Sequence, residues 1–143
     1  MLLVDSSVWI AYFNGLNCWQ TETLDRLLQQ IPVYIGDLIL TEVLQGFRHD
    51  RDFHKARKAL SHLTCLELGG YEVAVQSAKN YRFLRHRGIT PRKTIDIVIA
   101  TYCIINDLPL LHNDREFNPM AEFLDLKTVS PDFYRRPAPT NHG

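Results

Sequence analysis

The sequence opens with MLLVDSSVW (residues 1–9), and this stretch decides how the rest of the chain is interpreted. Residues 2–4 form an uninterrupted apolar run, which is typical of a strand buried on both faces of a parallel sheet. Asp5 follows where that strand would end, and Ser6 and Ser7 can satisfy the first amides of a helix. Because ligands of open α/β sheets bind beyond the carboxyl ends of the strands, Asp5 is either a helix cap or part of a site.

The composition indicates one globular domain with no global preference for nucleic acid. The chain has 143 residues, 45% of them hydrophobic, and its 16 basic and 16 acidic side chains balance. The 3 cysteines are far apart and odd in number, which argues against a disulfide framework and for a reducing compartment. The longest apolar stretch, residues 97–105, is too short to span a bilayer, and no signal-peptide pattern is present. We therefore expect a soluble, cytoplasmic protein.

Strand patterns alternate with helix patterns along the chain. Apolar runs predict strands at residues 2–4, 33–35, 65–68 and 109–111, with a candidate edge strand at 126–129. This alternation implies a parallel sheet of about four or five strands with helices on both faces. We assign residues 1–134 to this single domain and residues 135–143 to a loose C-terminal tail.

The predicted helices lie between these strands. They cover residues 8–13, 21–30, 38–45, 50–63, 71–87 and 95–106. Thr94 is predicted to be the N-cap of the last helix. The helix at 38–45 is apolar on nearly every side, which predicts that it is buried and makes Glu42 within it costly unless something pairs with it.

Four acids can converge on one edge of the predicted sheet. Asp5 and Asp114 each come at or just after the end of a predicted strand, and parallel strands end at the same edge. Asp96 lies in the first turn of a helix that begins at that edge, and Glu42 lies one turn into another. Each acid also has a structural explanation by itself: a helix cap for Asp5, an Asx turn for Asp114, a buried arginine partner for Glu42, or a helix N-terminus for Asp96. The joint pattern is more specific than any member.

A pocket with four carboxylates favours a divalent cation. Unpaired, the acids would repel one another and raise one another's pKa values. Their ligand atoms are all oxygen, which favours Mg²⁺ or Mn²⁺ over zinc. Such ions activate and orient water for phosphodiester hydrolysis. A single ion, with the acids orienting the water as a base, is an alternative that the pattern leaves open.

Four segments in this order resemble the PIN-domain ribonucleases, and within them the toxin components of bacterial VapBC toxin–antitoxin pairs. The segments are LLVDSSVWI (2–10), ILTEVLQG (39–46), TIDIVIATYC (94–103) and LPLLHNDREF (108–117). The resemblance implies a three-layer α/β/α fold, a homodimer, cleavage of structured RNA such as transfer RNA, and inhibition by a cognate antitoxin. It also implies that the metal-binding catalytic acids are Asp5, Glu42, Asp96 and Asp114.

Three further residues fall on family positions beside these acids. Ser7 matches a small polar residue that supports the first acid, and Asn113 matches a polar residue beside the last. Glu116 departs from the pattern, because many relatives have an aspartate there. The extra methylene of Glu116 argues against direct ligation of a second metal and for a role through water or in the outer shell.

RNA binding would need cations near the acidic edge. Five basic residues adjoin the acid-bearing segments and are candidates for holding phosphates: Arg48, Arg51, Arg92, Lys93 and Arg115. Solvated loop charges explain each of them equally well. His112 is more simply structural than a substrate contact.

Three other functions fit the sequence less well. A signalling receiver module needs adjacent acids after the first strand, and a haloacid-dehalogenase-like phosphatase needs a second aspartate where Ser7 stands. A catalytically weak protein with a PIN fold, which binds RNA or serves as a scaffold, is the third alternative. It is kept because Glu116 stands where many relatives have an aspartate. The sequence therefore predicts a Mg²⁺- or Mn²⁺-dependent endoribonuclease, acting as a toxin with an antitoxin partner and no membrane association.

Overall fold

The computed structural model of the protein describes residues 1–134, and the predicted tail at 135–143 lies outside them. Within that range the strands are β1 (Leu2–Val4), β2 (Val33–Gly36), β3 (Thr64–Leu66) and β4 (Leu110–Leu111). They form one parallel sheet in the order β3-β2-β1-β4. The expected parallel sheet of four or five strands is therefore confirmed, with four.

Helices cover both faces of the sheet. They are α1 (Ser6–Phe13), α2 (Trp19–Leu27), α3 (Asp37–Gln45), α4 (Asp50–Leu60), α5 (Tyr71–His86), α6 (Thr94–Ile105) and α7 (Asn118–Phe123). A 3₁₀ turn, Arg115–Phe117, precedes α7. No helix in the described part of the chain is both long and apolar enough to cross a bilayer.

The central strands form the middle of the core. All residues of β1 and β4 are fully buried, as expected for strands covered on both faces. Leu3 pairs with Tyr34 of β2 on one side and with Leu110 of β4 on the other. This register brings the carboxyl ends of β1, β2 and β4 to one edge, where Asp5 begins the connection into α1.

Three predictions about individual elements were wrong. Residues 126–129 form no strand: Thr128 makes a single parallel bridge to Leu110. Thr94 lies inside α6, and Lys93 occupies the cap position without a side-chain cap bond. Helix α3 is only partly buried, since just Ile39 and Val43 are enclosed. Its apolar surface is wider than the face that the neighbouring elements cover.

A close approach fixes the start of α3. An added Cβ on Gly36 would lie 2.3 Å from the Leu68 side chain, which is fully buried. Asp37 holds the same segment, because its Oδ1 accepts hydrogen bonds from the Leu38 and Leu68 amides at 2.8 and 3.1 Å. The helix that presents Glu42 is therefore anchored at its first turn.

Candidate functional site

Asp5 is both a helix cap and a member of a buried carboxylate group. Its Oδ2 accepts hydrogen bonds from the Ser7 amide at 3.1 Å and the Ser7 hydroxyl at 2.7 Å. Its Oδ1 is buried without a hydrogen-bond partner, and the residue is 2% exposed. Burial raises the pKa of Asp5, and the hydrogen bonds from Ser7 oppose the rise. One oxygen thus serves the fold while the other is uncommitted.

Asp96 has a strongly perturbed carboxyl group. It lies in the first turn of α6 and is 3% exposed, and its Oδ2 has no hydrogen-bond partner. Burial, followed by the charges of Asp5, Asp114 and Glu42, raises its pKa to about 7, while Lys93 lowers it. A buried carboxylate oxygen without a hydrogen-bond partner is poorly explained by a favourable interaction with the helix N-terminus alone.

Glu42, on helix α3, is the third acid of the group. Its Oε1 is also buried without a hydrogen-bond partner. Burial and the charge of Asp5 raise its pKa, whereas Lys93 and the Ser6 hydroxyl lower it. A lysine at the start of α6 therefore partly offsets the negative charge, in place of the buried arginine considered from the sequence.

Asp114 follows β4 and the short loop at residues 112–113. Its Oδ1 accepts a hydrogen bond from the Glu116 amide at 3.0 Å, so it caps the 3₁₀ turn. Its charge raises the pKa values of Asp5, Glu42 and Asp96. The structure therefore brings all four acids within electrostatic reach of one another, at the edge where the sequence placed them.

The donor set of this acidic edge suits a hard divalent cation. Three of its carboxylate oxygens are buried and unpartnered: Asp5 Oδ1, Glu42 Oε1 and Asp96 Oδ2. Within residues 1–134, however, no three His, Cys, Asp or Glu side chains form a ready-made metal-binding group. Mutual repulsion keeps like charges apart, and a cation would draw them together. The residues fit an oxygen-ligated ion after side-chain adjustment.

A hydrogen-bonded chain of polar side chains holds the ends of β1 and β4 together. The Ser7 hydroxyl donates a hydrogen bond to Asp5 Oδ2 and accepts one from the backbone N–H of Asn113 at 2.9 Å. Gln20 Nε2 in turn donates to Asn113 Oδ1 at 3.2 Å. Nothing in the sequence singled out Gln20, because a glutamine in an amphipathic helix is usually a surface residue.

Glu116 points to a different partner from the four acids. Its Oε1 lies 3.3 Å from Arg92 Nε, and its Oε2 accepts a hydrogen bond from the Arg92 amide at 3.2 Å. The pair fastens the loop before α6 to the 3₁₀ turn after Asp114. Arg92 is largely exposed, so the net contribution of the ion pair to stability is small.

The other predicted phosphate-binding cations lie on the surface. Arg48, Arg51, Lys93 and Arg115 are exposed. Lys93 is close enough to lower the pKa values of Glu42 and Asp96, and Arg115 directly follows Asp114. His112 is held structurally, because its Nδ1 accepts a hydrogen bond from the Asp114 amide at 3.2 Å.

Comparison with known proteins identifies a family. A family model described as PIN domain matches residues 2–122. A curated relative, VapC ribonuclease Mb1587 from Mycobacterium bovis, is 26% identical over 132 residues, which cover 91% of this chain and 98% of the relative.

Solved structures share the fold at lower sequence identity. VapBC2 from Rickettsia felis, bound to a DNA fragment from its promoter, has a TM-score of 0.73 at 15% identity and covers 90% of this chain and 96% of its own. A toxin–antitoxin complex from Klebsiella pneumoniae has a TM-score of 0.66 at 19% identity, with 92% and 98% covered. Mycobacterium tuberculosis VapC20, described as a sarcin–ricin-loop-cleaving toxin, has a TM-score of 0.64 at 17% identity, with 89% and 99% covered.

Proposed function

The chain belongs to the PIN-domain family, and from this premise we propose that it is a divalent-metal-dependent endoribonuclease. The proposed catalytic and metal-binding residues are Asp5, Glu42, Asp96 and Asp114. The observation that carries the proposal is the set of three buried carboxylate oxygens without hydrogen-bond partners on three of these acids. Buried charges persist in proteins when something pairs with them, and a cation is the partner that this group lacks.

The proposed metal is Mg²⁺ or Mn²⁺, held by the uncommitted oxygens of the four acids. When bound, such an ion lowers the pKa of water and stabilises charge on a phosphodiester. The hydrogen bonds from Ser7 keep Asp5 Oδ2 oriented, which leaves Oδ1 for the ion. Burial and the neighbouring carboxylates raise the pKa of Asp96 to about 7, so binding of a cation by its carboxylate would be coupled to the loss of a proton.

The proposed substrate is structured RNA such as transfer RNA. The relative VapC20 is described as cleaving the sarcin–ricin loop, which supports an RNA substrate for this chain. Because the net charge is zero, phosphate binding would depend on local cations. The candidates are Arg48, Arg51, Arg92, Lys93 and Arg115.

The proposed biological role is that of a toxin inhibited by a cognate antitoxin. The match to a toxin–antitoxin complex supports this role. We further propose that the protein is a cytoplasmic homodimer.

A catalytically weak protein that only binds RNA or a partner is the second candidate. Two observations favour it. Glu116 is already paired with Arg92. Within residues 1–134 no three acidic, histidine or cysteine side chains are arranged to hold an ion, so the carboxylates of the acidic edge would have to move first.

Cleavage of a pool of total transfer RNA tests the proposed function. We expect the purified full-length protein to give discrete fragments with Mg²⁺ or Mn²⁺ and none with EDTA. Glu72→Gln, which changes an exposed acid in the first turn of α5, is the matched control and should cleave normally. The same assay is run on ribosomal RNA, and transfer RNA and ribosomal RNA that both stay intact with either metal would favour the binding-only candidate.

Ser7→Ala is expected to lower the cleavage rate about tenfold, because residues that orient metal ligands typically contribute 10–100-fold. The variant loses the hydroxyl that contacts both Asp5 and the Asn113 amide. Initial rates at saturating Mn²⁺ measure the effect, and thermal unfolding checks the fold. Ser61→Ala, whose exposed hydroxyl bonds to the Lys58 carbonyl, is the control. Equal rates for the two variants would show that Ser7 has no part in the site.

A further inference from the structure

A cavity lies beside the acidic edge and includes Asp114 in its lining. Its volume is about 430 Å³, within the range of small-molecule sites. We call it the Trp19 pocket; its wall is formed by the start of α2, the loop after β4, the start of α7 and residues 128–131. The lining includes Trp19, Gln20, His112, Asp114, Arg115 and Asn118.

The wall of the Trp19 pocket combines one aromatic ring with polar groups. Trp19 packs against the core on one side and is partly exposed. Gln20, Asn113 and Asn118 supply amides, and Arg115 supplies a cation beside Asp114. Proteins that hold single-stranded RNA use this combination: bases stack on aromatic rings, amides hydrogen-bond to base edges, and arginine binds phosphate.

Two hydrogen bonds fix the polar part of this wall. The Asp114 amide donates to His112 Nδ1, so the neutral imidazole carries its proton on Nε2 and can act as a donor. The ring packs against Phe117 with the centroids 5.0 Å apart. The Gln20–Asn113 hydrogen bond then links the pocket wall to Ser7 and Asp5. A continuous set of hydrogen bonds therefore connects the wall of the pocket with the acidic edge.

We propose that the Trp19 pocket binds the base of the nucleotide next to the scissile phosphate. The base stacks on Trp19, and its polar edge meets the amides of Gln20 and Asn118. This inference rests on the proposed function, since a phosphate held at the acidic edge places its neighbouring nucleotide beside Asp114. The pocket would then determine which sequence is cut. The observations favour a base over a peptide side chain because the pocket is continuous with the site proposed to hold phosphate.

Nuclear magnetic resonance with mononucleotides tests the pocket without depending on cleavage. The full-length protein, with Mg²⁺ present, is titrated with AMP, GMP, CMP and UMP, which contain no internucleotide bond. The chain has 2 tryptophans, and Trp9 is 2% exposed in the core. We expect the Trp19 indole N–H signal to shift saturably with at least one nucleotide while the Trp9 signal stays in place. A shift with the peptide Gly-Arg-Gly and with no nucleotide would overturn the proposal.

Cleavage kinetics provide a second test of the Trp19 pocket. Trp19→Leu should lower kcat/KM about tenfold or more, mainly through KM, and should change the preferred cut sites, because loss of base stacking has an effect of this size. Asn118→Ala, at an exposed position of the rim, should change the preference for one base even if Trp19→Leu folds poorly. Tyr71→Leu removes an aromatic ring that is 88% exposed. Tyr71 lines a pocket together with Ile105, which is at the far end of α6 from Asp96, so this variant should change neither the cleavage rate nor the preferred cut sites.

The two proposals fail in different ways. Normal cut sites and rates in Trp19→Leu and Asn118→Ala, with no nucleotide-dependent shift of Trp19, would overturn the pocket and leave the nuclease in place. Saturable shifts of Trp19 in a protein that cleaves no RNA would overturn the nuclease and leave the pocket in place.

Discussion

Asp96→Asn is expected to lower RNA cleavage at least about a hundredfold, because losing a metal ligand should exceed the 10–100-fold effect of losing a residue that orients one. In EDTA the same change is expected to raise the free energy of unfolding. The carboxylate of Asp96 is buried and faces Asp5, Glu42 and Asp114, so ionising it in the metal-free protein is unfavourable. An amide of the same shape removes that charge.

The stability effect of Asp96→Asn should depend on pH in a defined direction. The pKa of Asp96 is about 7 in the folded chain, above its ordinary value of 3.8. Between these values the unfolded chain releases the proton and the folded chain keeps it, so the free energy of unfolding contributed by Asp96 falls as pH rises and levels off above pH 7. The variant should lack this component and, at about pH 8, be more stable than the wild type by roughly 1–2 kcal/mol, after allowance for water in the site.

Urea unfolding in EDTA at several pH values, together with cleavage rates in Mn²⁺, measures both effects of Asp96→Asn. Glu72→Gln, at an exposed acid, is the control for each. A variant that cleaves RNA like the wild type would remove Asp96 from the site. A variant that is less stable at every pH would mean that the carboxylate supports the fold.

Phe117→Ala is expected to lower the free energy of unfolding by about 3–5 kcal/mol, the usual range for truncating a buried phenylalanine. Phe117 lies in the 3₁₀ turn that follows Asp114. It is fully buried, and its ring packs against that of His112. Its loss would leave a cavity directly beneath the loop that presents Asp114. The melting temperature should fall by more than about 10 °C for a domain of this size, and cleavage should fall with it.

Phe123→Ala is the matched control for Phe117→Ala. Phe123, at the end of α7, is 38% exposed, so its truncation should change stability by less than about 1 kcal/mol. Calorimetric melting of both variants measures the contrast. Similar melting temperatures for the two would show that the turn after Asp114 is not anchored by the core.

The sequence predicted the acidic edge because its position follows from topology. Once residues 2–4 and 109–111 are recognised as parallel strands, Asp5 and Asp114 must lie at the same edge, whatever the details of packing. Asp96 was detectable because a carboxylate in an apolar helix is costly. Its catalytic role, like those of the other three acids, stays a prediction.

The features that the sequence did not reveal depend on contacts between distant segments. Gln20 meets Asn113 across 93 positions, and Arg92 meets Glu116 across 24. The burial of α3 could not be predicted from its composition, because an apolar helix can pack over only part of its surface. Thr94 was misplaced by one residue, since a lysine at a cap position carries no recognisable signal.

Calorimetric titration of Mn²⁺ into the metal-free, full-length protein tests the central claim most directly. The account predicts saturable binding to the wild type and to Glu72→Gln, with proton release near pH 7 because Asp96 ionises as the ion binds. Binding to Asp96→Asn should be at least about tenfold weaker. A wild type that takes up no Mn²⁺, or an Asp96→Asn protein that binds it equally well, would contradict the assignment of the acidic edge as a metal-dependent site.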